Sequence, residues 1–86
     1  MNIKIKGRRI HPNQNGHMIY KPGDYGFDNG EWFARPPDRV SLGSLRNHQV
    51  IEHKDGTISV SPSILVEQSN GVSWHGHLKK GIWEET

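Results

Sequence analysis

Six histidines among 86 residues are the first feature of this chain with chemical content. Imidazole ligates divalent metals and carries protons near neutral pH. Four lie in the second half: His48, His53, His75 and His77. His75 and His77 are two apart in a stretch that alternates as a strand does. Both therefore point to one face, while Trp74 and Leu78 point to the other. The indole and isobutyl groups are the natural core face, which leaves the two imidazoles on the accessible one. A His-x-His pair on a strand sets two ligands roughly 7 Å apart with tips that converge, enough to begin a metal site. His48, His53 or Glu52 would complete it. Zinc with an open position would favour hydrolysis, with Glu52 as general base, and a closed four-ligand set would be structural only. The competing reading is histidines that pack and hydrogen-bond on the surface of a small β protein.

Other chemistries have less to stand on. Ser59, Ser61 and Ser63 alternate, but a serine nucleophile also needs an oriented base and an oxyanion site, and spacing shows neither. Gly23, Gly26 and Gly30 are loosely spaced and lack the following Lys-Ser/Thr of a phosphate-binding loop. The seven aromatic residues include Tyr25, Phe27 and Trp32; they could present stacking platforms, and in a chain this small they also serve to fill the core. Lys4, Lys6, Arg8 and Arg9 fall within the first ten residues with no acid among them. Lys4 and Lys6 share a strand face opposite Ile3 and Ile5. They read as a lysine-protected edge strand or as a contact to phosphate or to an acidic protein surface.

These side chains must be positioned by short elements. Met1 to Lys6 alternates as a strand. Gly7 to Gly30 is rich in Gly, Pro and Asn and reads as a loop region. Glu31 to Ala34 reads as a short strand, which Pro36 and Pro37 end. Asp38 or Ser41 could cap one helical turn carrying Val40, Leu42 and Leu45. From His48 onward strands and turns alternate closely. His48 to His53 and Thr57 to Val60 flank Lys54-Asp55-Gly56, where Asp-Gly suits a type I′ turn. Ser63 to Glu67 and Val72 to Leu78 flank Ser69-Asn70-Gly71. Lys79-Lys80-Gly81 then turns into Ile82 to Glu84. The expected fold class is mostly β: a single domain over residues 1–86, a small antiparallel meander sheet or roll with at most one short helical turn.

Composition narrows the function classes. Apolar residues make up 31% of the chain, and thirteen of the seventeen Ile, Leu and Val residues lie from Val40 onward. The core is therefore small and built mainly by the second half. A large interdomain catalytic cleft is excluded, and so is a run of about 18 apolar residues able to span a membrane as a helix. The absence of cysteine removes disulfides, thiol nucleophiles and cysteine-based zinc sites together. With no apolar leader visible in Met1 to Ile10, the expected location is the cytoplasm. A net charge of +2 is too small by itself to indicate nucleic acid.

The run from His48 through Glu52-His53, Asp55-Gly56-Thr57-Ile58 and Ser61-Pro62-Ser63-Ile64 to Val66, then Trp74-His75-Gly76 with Leu78, and Gly81-Ile82-Trp83, resembles a known family. It is an uncharacterised domain family common in phages, prophages and bacterial operons. The resemblance covers residues 31 to 84. Longer members accompany ubiquitin-like conjugation genes and have been proposed as zinc peptidases. Of the residues those members use, His75 alone coincides with a histidine, and their cysteine positions are vacant. The resemblance implies a phage-type accessory protein in a bacterial host cytoplasm, with interference in a host defence system as one role.

Three functions follow as expectations. The leading one is binding to a host protein through Lys4, Lys6, Arg8, Arg9, Tyr25, Phe27 and Trp32. The alternative is a zinc-dependent, peptidase-like hydrolase using His75, His77, His48 and His53. The third is a nucleic-acid-binding module acting through the basic N-terminus. Homodimerisation by strand pairing through Met1 to Lys6 is compatible with each.

Overall fold

The computed structural model describes residues 4–38, 41–68 and 70–86. Among these there is no helix, and ten short strands form two four-stranded sheets and a hairpin. The mostly β, antiparallel-rich class expected from the turn spacing is the observed one. No helix of the described residues is long and apolar enough to cross a membrane.

The first sheet has the order β1-β10-β9-β8, built from Lys4–Lys6, Ile82–Glu85, Ser73–Lys79 and Ile64–Glu67. Strands β8, β9 and β10 form a meander, and β1 closes on β10 with Lys4 opposite Glu84 and Lys6 opposite Ile82. The second sheet has the order β2-β3-β4-β5, from Arg8–Arg9, Asp24–Asp28, Glu31–Ala34 and Gly43–Ser44. Its β2–β3 pairing is parallel, over only two residues. The third unit is the hairpin of β6 (Gln49–Glu52) and β7 (Ile58–Ser61).

The chain passes from the first sheet into the second at Gly7. A Cβ there would lie 2.7 Å from Trp83 Nε1 and 2.8 Å from the Gly23 carbonyl oxygen. Only glycine lets the backbone slip past the indole at that point.

The core sits where the three units meet: Tyr25, Ala34, Leu45, Ile58, Val60, Ile64, Trp74, Leu78 and Trp83. Trp74 and Trp83 meet edge to face with ring centroids 5.2 Å apart. The Trp83 Nε1–H is not left unpaired by burial; it donates to the Gly23 carbonyl at 2.9 Å. Each large apolar side chain buried in this way contributes about 1.5–3 kcal/mol.

The expected strand Met1 to Lys6 is a strand over Lys4–Lys6, and Met1 to Ile3 lie outside the described residues. The structure departs from the sequence expectations in three places. The expected loop region 7–30 carries β2 and the five-residue β3. The expected helical turn is not seen: Leu42 is exposed, Gly43–Ser44 pairs with β4, and Val40 lies outside the described residues. Finally, the Asp55-Gly56 turn is not type I′, which needs positive φ at both central residues. Only Gly56 has it, at 88°, in a three-residue loop where the His53 N–H donates to the Thr57 carbonyl and the Gly56 N–H to the His53 carbonyl. The two-residue type I′ geometry occurs instead at Asn29-Gly30 (φ 51° and 77°) and Lys80-Gly81 (48° and 76°).

Candidate functional site

Alternation along β9 does what the sequence implies. Trp74, Gly76 and Leu78 are buried, while His75 is exposed and His77 half-buried on the opposite face. Three of the four imidazoles are held by hydroxyls or a carbonyl, and two of these share Ser63. His75 Nε2 lies 2.8 Å from Ser63 Oγ and its Nδ1 3.0 Å from Thr86 Oγ1. His48 Nε2–H donates to the Ser63 carbonyl at 3.1 Å, since a carbonyl can only accept. His53 Nε2 lies 2.8 Å from Ser59 Oγ, and that oxygen also accepts the Lys80 backbone N–H. These contacts tie β6, β7, β8 and β9 together through serine hydroxyls and a carbonyl.

Glu52, the candidate general base, receives the Arg9 guanidinium at 2.9 Å. Among the described residues, no three histidine, aspartate or glutamate side chains gather as a metal ion would require.

The expected contact residues divide. Tyr25 is 1% exposed and belongs to the core, so it cannot present a surface; burial also raises its phenol above the usual range. Arg8 is spent on Asp24, its Nε and Nη2 donating to both carboxylate oxygens. That pairing raises the guanidinium pKa further. Arg9 is spent three ways. Its Nη1 donates to Glu52 and to the Gly56 carbonyl, and its guanidinium carbon lies 4.8 Å over the Trp32 ring. Phe27 stays exposed against the edge of Trp32. Of the N-terminal cations, Lys4 and Lys6 remain: both are exposed, and among the described residues neither forms an ion pair.

Lys4 belongs to a feature that spacing could not show. The outer face of the first sheet and the β6–β7 hairpin enclose an open groove of about 580 Å³. Its apolar lining is Ile51, Val60 and Ile82, with Ile51 54% exposed. Lys4, Lys79 and Lys80 stand around it, with His77 and Glu84 facing each other across the β9–β10 ladder. The volume falls within the range of about 300–1,000 Å³ common to ligand-binding clefts. Comparisons with protein-family models, with curated proteins and with solved structures find no match for this chain.

Proposed function

We propose that this chain is a small protein-binding module, an accessory protein of the phage-type family that its motifs resemble, and that its host partner is held in the groove between the first sheet and the β6–β7 hairpin. The observation that carries this reading is Ile51. A β-branched apolar side chain 54% exposed beside the apolar Ile82 and Val60 loses free energy by standing in water. A partner that covers it regains about 25 cal/mol per Å² of apolar surface removed from solvent. The ring of lysines around an apolar centre matches the usual anatomy of a protein contact, apolar in the middle and polar at the rim.

The test compares three forms of the protein as bait in bacterial lysate: the unaltered chain, Ile51→Asp, and Ile19→Asp. Ile19 is 64% exposed and lies outside the groove, so it controls for a surface charge placed elsewhere. The expected result is a host protein retained by the unaltered chain and by Ile19→Asp but lost from Ile51→Asp. Equal retention by all three forms, or no retained protein at all, would overturn the proposal.

A further inference from the structure

Resting on that reading, we infer that the groove takes an extended acidic segment bearing a central apolar side chain. The apolar group would seat between Ile51 and Ile82, with its flanking carboxylates on Lys4, Lys79 and Lys80.

Charge is the first support. Three lysines and one glutamate line the groove, which gives a local charge of +2. Lys6 adds to the same face, since it is the cross-strand partner of Ile82. Among the described residues none of these four lysines is engaged in an ion pair, whereas Arg8, Arg9 and Arg46 are. Arg8, Arg9 and Arg46 are thus neutralised internally, while the four lysines of this face stand ready for a partner. Such a field favours approach of an anionic segment and repels a cationic one.

The lining then chooses among anions. A single-stranded nucleic acid would need aromatic faces on which to stack its bases. Among the described residues no Phe, Tyr or Trp lines this groove, and its single imidazole, His77, is half-buried: Trp74, Trp83 and Tyr25 are in the core, and Phe27 packs on Trp32 in the second sheet. Branched aliphatic groups suit a leucine or isoleucine side chain instead. A second copy of this chain fits poorly as well, because a two-fold contact through this face sets lysine against lysine.

The experiment uses fluorescence anisotropy with the full chain and three probes. One is a peptide of about twelve residues, Asp and Glu around a central Leu, roughly 40 Å long when extended. The second replaces that Leu with Ser, and the third is a single-stranded oligonucleotide of the same net charge. The leucine peptide should bind at least about tenfold more tightly than either of the others, tenfold being 1.4 kcal/mol. Lys4→Glu combined with Lys79→Glu should weaken it about tenfold or more. Raising salt from about 50 to about 300 mM should weaken it severalfold, as contacts at exposed charges are screened. Lys4→Gln combined with Lys79→Gln should fall between, and circular dichroism of each variant confirms that it folds. Equal binding of the serine peptide or of the oligonucleotide would overturn the inference in favour of a plain cationic patch. Failure of the acidic peptide, while a lysate partner still depends on Ile51, would refute the partner chemistry and leave the protein-binding reading standing.

Discussion

Ser63 shows how much a single residue holds in this molecule. Its carbonyl takes the His48 N–H and its hydroxyl meets His75, so a histidine at the entry to β6 and one on β9 converge on one serine. Adding equimolar zinc should therefore leave the melting temperature unchanged; a rise of several degrees would reinstate the zinc reading, because a bound metal stabilises the folded state by mass action. Asp55 is a second case. Its Oδ1 accepts the Thr57 hydroxyl and backbone N–H, and these bonds to the charged form lower its pKa from the ordinary 3.8. A group whose pKa is lower in the folded state adds stability that is complete above the unfolded value. That contribution fades as pH falls through the folded one. The melting-temperature gap between the unaltered chain and Asp55→Asn should accordingly shrink from about pH 5 to about pH 2.

Among the elements, what could be read in the sequence was whatever is local. The β6–β7 hairpin, the β8–β9–β10 meander and the Glu31–Ala34 strand announce themselves by alternation and turn residues within a few positions of each other. Strand β3 does not, because Gly26 interrupts its pattern. That glycine answers a distant constraint: a Cβ there would lie 3.0 Å from the Ile10 carbonyl oxygen and closer still to the Met18 side chain. The same division separates the sites. Outward-facing His75 and His77 follow from period two, but the hydroxyls that hold His75 come from Ser63 and Thr86, which spacing cannot pair. The groove needs Lys4, Ile51 and Ile82 together, and only tertiary packing supplies that. Turn chemistry also yields a prediction. Lys80 sits at φ 48°, where a long side chain is disfavoured and asparagine is tolerated. Lys80→Asn should stabilise the protein by about 0.5 kcal/mol in urea unfolding while weakening the acidic peptide, since it relieves the backbone and removes a rim charge.

For the whole molecule, the radius of gyration of 12.3 Å matches the value near 12 Å expected for a folded chain of this length. Three small β units share one thin core, so none has enough apolar surface to stand alone and unfolding should be cooperative. Arg9 is the polar clasp between the second sheet and the β6–β7 hairpin, reaching Trp32, Glu52 and the Gly56 carbonyl together. Its side chain is only 19% exposed, so these bonds are less screened than those of a surface pair. Arg9→Ala should cost about 1–3 kcal/mol, read from the urea midpoint with an unchanged slope.

The pairing of β1 with β10 sets how the protein bears load. Lys4 faces Glu84, so the first and last described strands meet at the same end of one ladder. Their hydrogen bonds run perpendicular to the strands, as in any antiparallel pair. Traction that draws these two ends apart peels the ladder rung by rung, whereas a grip moved to the Lys80 turn would strain every rung at once in shear. In a single-molecule stretching measurement, end-to-end tension should rupture the domain at a lower force than tension between residues 4 and 80.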